Sequence, residues 1–307
     1  MKTLKEILFF ADGAEGEKYA LTQCIELAAH HGASLTVVDV VAEVESNDVR
    51  LDTTMKKLQN SLIDERKTAL QSLLDLCDQQ TLSSSIKILV LPGKDYIEII
   101  RAVISTPFDL VIKSTNQHNV VSATLFGDTD LNLLRKCPCP IWIIKPQTEK
   151  KIYNVLAAID LTESFETRQL ACQVVELAAN VAAQENAQLL VMNAWQPPSM
   201  AHFSSRLEGK AFDEMMQAIK DTSTEQLHTL AAHAAPATPA EYLVDGKAED
   251  AIIGLVNSNE IDLLVMGTMS RGGIPGLLIG NTAEKVLSRA NCSVLTLKPD
   301  GFKSQVL

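Results

Sequence analysis

Residues 90–114 read VLPGKDYIEIIRAVISTPFDLVIKS, and residues 243–267 read LVDGKAEDAIIGLVNSNEIDLLVMG. In both stretches a short apolar run leads through a glycine into a segment with apolar residues at helical spacing, and a second apolar run follows. Apolar runs that alternate with amphipathic helices are typical of a parallel sheet covered on both faces. The two stretches therefore predict the same strand–helix–strand unit twice.

The similarity between the two stretches continues to residues 146 and 299 without a gap, at a constant offset of 153 positions. The matched pairs are Gly93 and Gly246, Lys94 and Lys247, Asp109 and Asp262, Thr115 and Thr268, Gly127 and Gly280, Thr129 and Thr282, and Cys139 and Cys292. The preceding parts match with small insertions, EILFFADGAE with NVLAAIDLTE and CIELAA with VVELAA. This register indicates a tandem duplication, and we predict domains at 1–148 and 149–307.

Five apolar runs recur in each predicted domain. They are ILFFA, LTVVDV, SIKILVL, DLVIK and PIWIIK in the first, and VLAAID, QLLVMNAW, AEYLV, DLLVMG and SVLTLK in the second. The sequence thus predicts two tandem, doubly wound α/β domains, each with a five-stranded parallel sheet. Such sheets bind ligands at the carboxyl ends of their strands. Those ends are marked by Asp12 and Val40 in the first domain, and by Asp160 and Ala194 in the second.

The overall composition excludes several classes of function. The formal net charge is -11 and the pI is about 5.1, whereas a direct nucleic-acid binder needs a basic face. No apolar run approaches the ~20 residues of a membrane span, so we expect no membrane partner. The apolar stretch before Asp12 is too short for a signal peptide, and we expect a cytoplasmic protein.

The segment MGTMSRGGIPGLLIGNTAEKVL is unusually rich in glycine, which costs backbone entropy on folding. Within it Gly267 directly follows the strand DLLVM, where it would allow a ligand to approach closely. A predicted helix then begins at Asn281, which with Glu284 has the form of a capping pair. The free N–H groups of its first turn make an anion site, to which Arg271 would add charge. The residues alone leave two interpretations open: a phosphate-binding loop, or a capped helix whose glycines serve a turn.

The whole chain resembles the universal stress protein family in its tandem two-domain form. Nucleotide-binding members of that family carry G-x2-G-x9-G-[ST] in this loop, with an aspartate closing the first strand. The resemblance implies that Asp160 and Ala194 face a nucleoside. It further implies that the ribose and phosphates are lined by Met266, Gly267, Ser270, Gly280, Asn281 and Thr282. ATP is therefore the candidate cofactor, in the second domain only, and the ligand is otherwise unknown.

The chain departs from the family motif in both domains. Ser270 replaces the second glycine and brings a side chain toward the phosphates, and Asn281 replaces the usual serine or threonine. In the first domain the corresponding residues are Ser114, Gln117 and Asp128, and only Gly127 and Thr129 of the motif are kept. Asp128 would repel phosphates at the helix start and would itself cap the helix. We therefore expect the first domain to be a structural partner with a degenerate site.

The resemblance also implies how the two domains associate. Members of this family dimerise by pairing terminal strands, whose edges would otherwise be exposed. The runs PIWIIK (140–145) and SVLTLK (293–298) lie at equivalent positions. We predict that they pair within the chain and make it a built-in pseudo-dimer, while a further homodimer stays open.

No arrangement of residues in the sequence indicates catalysis or a metal site. The histidines are His30, His31, His118, His202, His228 and His233, and none falls in a metal-ligand or catalytic-triad pattern. Cys137 and Cys139 lie one residue apart, but no matching Cys or His pair stands at zinc-site spacing. We therefore predict no catalytic residue, no metal ligand and no enzymatic activity.

The resemblance implies a cytoplasmic stress-response regulator that binds a small molecule and protects against DNA-damaging, oxidative or starvation stress. ATP or another adenine nucleotide in the second domain is the first hypothesis. Two alternatives remain: a non-nucleotide ligand that is apolar or sugar-linked, and a docking scaffold without a ligand. An ATP-cleaving enzyme of similar fold would need a serine- and glycine-rich loop after its first strand, which FFADGAEGE and AAIDLTESF do not supply.

Overall fold

The computed structural model describes residues 4–14, 16–44, 51–77, 86–115, 126–145, 151–161, 165–196, 209–234, 238–268 and 279–306. They fall into two compact units. Unit 1 holds those of 1–150, Ile279 and those of 293–307, and unit 2 holds those of 151–269 and 280–292. The predicted domain boundary between 148 and 149 lies outside the described residues and stays a prediction.

The first repeat forms nine elements of unit 1 in alternating order. They are β1 (Glu6–Phe10), α1 (Glu17–His31), β2 (Ser34–Val41), α2 (Asp52–Asp75), β3 (Lys87–Pro92), α3 (Asp95–Ser105), β4 (Leu110–Ser114), α4 (Asp128–Lys136) and β5 (Ile141–Ile144). The strand order is β3-β2-β1-β4-β5, and all neighbours in it are parallel. The winding reverses at β1, which lies between β2 and β4. The carboxyl end of β1 is therefore where a ligand crevice is expected.

Unit 2 repeats this arrangement with the second copy of the sequence. Its elements are β6 (Asn154–Ile159), α5 (Phe165–Glu185), β7 (Gln188–Trp195), α6 (Gly209–Ala234), β8 (Ala240–Asp245), α7 (Ala248–Ser258), β9 (Leu263–Gly267) and α8 (Asn281–Leu287). Its parallel strands follow the order β9-β6-β7-β8, so the winding reverses at β6. The predicted doubly wound α/β fold is confirmed, and every predicted strand of both repeats is present.

The last strand of the second repeat, β10 (Ser293–Leu297), belongs to unit 1. There it pairs antiparallel with β5, with Val294 opposite Ile143 and Leu295 opposite Trp142. The Ser293 hydroxyl oxygen accepts a hydrogen bond from the backbone N–H of Lys145 at 3.1 Å. This is the pairing of terminal strands that the sequence predicts. It covers the edge that β5 would otherwise expose.

The core of each unit lies between its parallel strands and the helices beside them. The apolar residues of β1, 7–10, are buried, as the continuous run ILFF requires of a central strand with helices on both faces. The long helix α2 packs on the outer strands β2 and β3, and α6 packs on β7 and β8, as expected of amphipathic helices that cover a sheet. Among the described residues, no helix combines the length and the apolar character needed to cross a membrane.

An aspartate ties together the amino ends of the central strands in both units. Asp109 Oδ2 accepts hydrogen bonds from the backbone N–H groups of Lys5 at 2.8 Å and Glu6 at 3.1 Å. In unit 2 Asp262 Oδ2 accepts the same two bonds, from Tyr153 at 2.8 Å and Asn154 at 3.0 Å. This repeated aspartate therefore has a structural role, at the opposite end of the sheet from the candidate ligand site.

Candidate functional site

The candidate site is the edge of unit 2 where the parallel strands end. Asp160 directly follows β6, and Ala194 is the last residue but one of β7. Because Ile159 lies opposite Asn193 in the ladder, Asp160 and Ala194 come next to each other at this edge. Met266 and Gly267 close β9 on the other side of β6. The structure thus brings these four predicted site residues to neighbouring strand ends.

The remaining predicted residues are partly described. Gly280 is the N-cap residue of α8, and Asn281 and Thr282 are the first two residues of that helix. Gly280 is buried, Thr282 is half-buried and Asn281 is exposed. Ser270 and Arg271 lie outside the described residues, and their role stays a prediction.

The start of α8 differs from the expected capping pair by one position. Asn281 is helical, and Gly280, with φ −61° and ψ 145°, is the N-cap residue. No side chain caps this helix, so the predicted Asn281–Glu284 capping pair is wrong. The first backbone N–H groups of α8 have no partner within the helix, as at every helix start. An acceptor from outside the helix is therefore compatible with this end.

Gly267 is explained by packing inside unit 2. A Cβ atom at this position would lie 2.6 Å from Cδ2 of Leu170, a residue of α5. The sequence suggested that a ligand approaches this glycine closely, whereas the structure places a leucine side chain there. Unit 1 carries Ser114 at the equivalent strand position, and the residue of α1 that corresponds to Leu170 is the smaller Ala20. The two units therefore differ by a compensating pair of residues.

We expect Gly267→Ala to destabilise the chain by about 1–3 kcal/mol, because the added methyl group overpacks against Leu170. In a Leu170→Ala background the same change should cost clearly less, since the clash is removed. Urea denaturation of the four proteins measures both effects. An equal cost of Gly267→Ala in the two backgrounds would show that Leu170 is not the reason for the glycine.

Three ionisable side chains of unit 1 meet at the equivalent edge, and we call them the Lys113 cluster: Asp12, Lys113 and Asp130. The Lys113 ammonium lies 2.8 Å from Asp12 Oδ2 and 2.9 Å from Asp130 Oδ1. Lys113 is only 1% exposed and Asp130 only 2%. Asp130 Oδ2 also accepts hydrogen bonds from the Gly127 N–H at 2.9 Å and the Thr115 hydroxyl at 3.1 Å. The cluster therefore joins the ends of β1 and β4 to the first turn of α4.

The Lys113 cluster replaces apolar residues of unit 2. At the offset of 153 positions, Lys113 corresponds to Met266 and Asp130 to Ala283. Burial acts to lower the pKa of Lys113, but Asp130 and Asp12 outweigh it and raise that pKa above its ordinary value. The ion pairing of Lys113 thus stabilises the fold below the unfolded-state pKa of lysine and is lost only as the pH rises through the higher folded-state pKa. At neutral pH Lys113 is charged.

The sequence matches the universal stress protein family over residues 3–145 and again over residues 153–298. The chain belongs to the universal stress protein family. The match occurs once in each repeat and leaves out the segment where the joint was predicted. Proteins of the universal stress protein family have a role in the stress response.

The chain is similar to universal stress proteins of the E type. It is 28% identical to universal stress protein E of Photorhabdus laumondii over 228 residues, which are 70% of this chain and 69% of that protein. It is 23% identical to the universal stress protein E homolog of Haemophilus influenzae over 316 residues, covering 96% of this chain and 97% of that one. The tandem two-domain form suggested by the sequence is therefore confirmed.

Solved universal stress protein structures share the fold. A putative universal stress protein from Pseudomonas aeruginosa superposes with a TM-score of 0.70 at 22% identity, covering 97% of this chain and 94% of that one. One from Archaeoglobus fulgidus gives a TM-score of 0.61 at 15% identity, covering 97% and 99%. These likenesses establish the architecture.

The Lys113 cluster is bordered by a further carboxylate, Glu17, at the start of α1. Glu17 Oε1 accepts a hydrogen bond from the Gly13 N–H at 2.8 Å. Burial is the main reason why the pKa of Glu17 is raised, although the Gly13 bond lowers it; nearby Asp12 adds to the increase. Because the folded state binds this proton more tightly than the unfolded state, ionised Glu17 destabilises the fold above its folded-state pKa.

We expect Glu17→Gln to raise the urea midpoint at pH 8, because the amide keeps the acceptor for Gly13 without the buried charge. The difference from the parent chain should shrink as the pH falls through the raised pKa of Glu17 toward 4.5, its ordinary value. Glu26→Gln, an exposed change on the same helix, is the matched control. A Glu17→Gln effect that is the same at pH 8 and pH 4.5 would contradict this assignment.

The cysteines and histidines considered as candidate ligands lie in packed or helix-end positions. Cys137 and Cys139 are buried, and burial is the main cause that raises the pKa of Cys137 to about 12. His30 and His31 end α1 ahead of Gly32. Burial and then neighbouring His30 lower the pKa of His31. Within the described residues, no three His, Cys, Asp or Glu side chains are placed to hold a metal ion.

Proposed function

We propose that unit 2 binds ATP or another adenine nucleotide, and that the chain acts as a stress-response regulator by binding rather than by catalysis. The observation that carries this proposal is the contrast between the two units. In unit 1 the Lys113 cluster occupies the edge where the parallel strands end, whereas unit 2 has Met266 and Ala283 at the positions of Lys113 and Asp130. The apolar side chains of Met266 and Ala283 suit contact with a planar base. The start of α8, which has no side-chain cap, suits an anionic group.

Each part of the nucleotide has a suitable group in unit 2. The half-buried Asp160 offers a carboxylate to the hydroxyl groups of the ribose, beside Ala194. Met266, which is buried, offers an apolar contact to the base. The first backbone N–H groups of α8 and the Thr282 hydroxyl suit a phosphate. Ser270 and Arg271 are expected to complete the phosphate contacts, with Arg271 donating charge-assisted hydrogen bonds.

We expect Gly280→Asp to weaken ATP binding by tenfold or more, which corresponds to about 1.4 kcal/mol or more. The new carboxylate would lie at the helix start, where it repels phosphate groups. Isothermal titration of the full chain with ATP measures the affinity. Gly254→Asp is the matched control, because Gly254 is an exposed glycine of α7 with open space around its Cβ position. Unchanged ATP affinity in Gly280→Asp would contradict the proposal.

An apolar or sugar-linked ligand is the second candidate, and one residue favours it. Phe165, the first residue of α5, is 79% exposed and follows Asp160 within a few residues. An exposed aromatic ring on this side of the sheet suits stacking against an apolar group or a sugar ring. Such a ligand should tolerate Gly280→Asp and lose affinity in Phe165→Ala, which is the reverse of the result expected for ATP. A cytoplasmic location and association into a homodimer stay predictions from the sequence.

A further inference from the structure

We propose that the ammonium group of Lys113 occupies the ligand position of unit 1. We further propose that Lys113 and Asp130 together are the reason why only unit 2 binds an adenine nucleotide. This inference rests on the proposed function of unit 2. It assigns the difference between the two repeats to two buried side chains that unit 2 lacks.

The Lys113 ammonium is surrounded by oxygen atoms of the protein. Besides its contacts with Asp12 and Asp130, it donates to the backbone carbonyl of Ser114 at 2.7 Å. Two of these three oxygens belong to carboxylates, which a phosphate would have to displace in order to pair with Lys113.

Asp130 takes the place of the ligand's anion. Its carboxylate accepts the N–H of Gly127, the residue before the first turn of α4, whose counterpart in unit 2 is Gly280. It also accepts the hydroxyl of Thr115. Ala283, at the corresponding position of unit 2, has no side-chain acceptor. One backbone donor at this helix start is thus already bound to a carboxylate of the chain.

The net charge of the cluster does not distinguish the two units. Lys113 and Asp130 carry opposite formal charges that cancel, and Asp12 has its counterpart in Asp160 of unit 2, so the units differ in which side chains occupy this edge. The ammonium lies 5.8 Å from the centroid of the Phe10 ring, so it is also held over an aromatic face. Replacing Lys113 and Asp130 together gives unit 1 the residues of unit 2 at both positions without changing the net charge.

The test is the number of ATP molecules bound per chain, measured by equilibrium dialysis of the full chain. In an Asp128→Asn background, which removes the exposed carboxylate at the start of α4, the double variant Lys113→Met/Asp130→Ala is expected to bind one ATP more than its Asp128→Asn parent. Its circular dichroism and urea midpoint establish that it is folded, and Lys57→Met, at an exposed lysine, is the matched control. A folded double variant that binds the same number as the parent overturns the inference.

The two proposals fail in different ways. If the parent chain binds no ATP and the double variant binds one, the proposed function of unit 2 is wrong and the closure of unit 1 stands. Acetylation of the unmodified chain, followed by peptide mass spectrometry, decides the inference if the variant does not fold. Lys113 should react at least tenfold more slowly than Lys57, with or without ATP. A Lys113 that reacts as fast as Lys57, or whose rate changes with ATP, overturns the inference.

Discussion

Replacing Lys113 with methionine is expected to destabilise the chain by about 3–5 kcal/mol, because it leaves buried carboxylates without their counter-ion. Asp130 is 2% exposed and Asp12 has a side chain that is 14% exposed, so neither gains full hydration when the ammonium is removed. Urea denaturation followed by circular dichroism measures the loss. Asp130→Ala alone should also destabilise, because the ammonium and the Gly127 N–H both lose an acceptor.

The double variant separates the energy of the Lys113–Asp130 interaction from the effects of replacing each side chain alone. Lys113→Met/Asp130→Ala should be clearly more stable than the sum of the two single losses predicts, since apolar residues often replace a buried ion pair at little cost. Lys57→Met is expected to change stability by less than about 0.5 kcal/mol, as most exposed substitutions do. Single variants whose losses simply add would mean that Lys113 and Asp130 do not interact.

Replacing Asp262 with alanine is expected to destabilise unit 2 by about 2–5 kcal/mol. The change removes the acceptor of two partly buried backbone N–H groups, those of Tyr153 and Asn154; a buried donor without a partner costs up to about 1–3 kcal/mol. Asp262 is buried, so water has limited access to replace the lost bonds. The urea midpoint measures the effect.

Asp109→Ala provides the matched variant in unit 1, since Asp109 makes the same two bonds to Lys5 and Glu6. Asp109→Ala should lower the stability by less than Asp262→Ala does, because the bond to Lys5 is exposed and water can replace it. Asp262→Asn keeps one side-chain oxygen as acceptor and should lose less than Asp262→Ala. An unchanged midpoint in Asp262→Ala would show that these hydrogen bonds do not hold the strand ends together.

The fold was predictable because its signals are local and repeated. Continuous apolar runs such as ILFF and DLLVM identify buried parallel strands, and the constant offset aligns one repeat on the other. The pairing of β5 with β10 was also predicted, since both strands end their repeats with an unpaired edge. The helix predicted from Asn281 is present, but its N-cap was assigned wrongly. Gly280 is the N-cap residue in place of Asn281, because both residue types are acceptable there.

The candidate site was harder to predict because its decisive contacts join distant parts of the chain. Gly267 is required by Leu170, which belongs to a helix far earlier in the sequence, so the glycine pattern alone suggested a ligand instead. Lys113 and Asp130 were missed for the same reason. One signal was available: a lysine that closes the buried strand LVIK needs a counter-ion, and the second repeat has Met266 there. Asp128 was the carboxylate expected to act at the start of α4, whereas Asp130 makes the contacts.

The most direct test of the account is native mass spectrometry of the full chain with excess ATP. One ATP per chain is expected, and none in Gly280→Asp, if the uncapped start of α8 binds the phosphates as proposed while Lys113 and Asp130 occupy the equivalent position of unit 1. Two ATP molecules on the parent chain, or equal occupancy in Gly280→Asp, would contradict it.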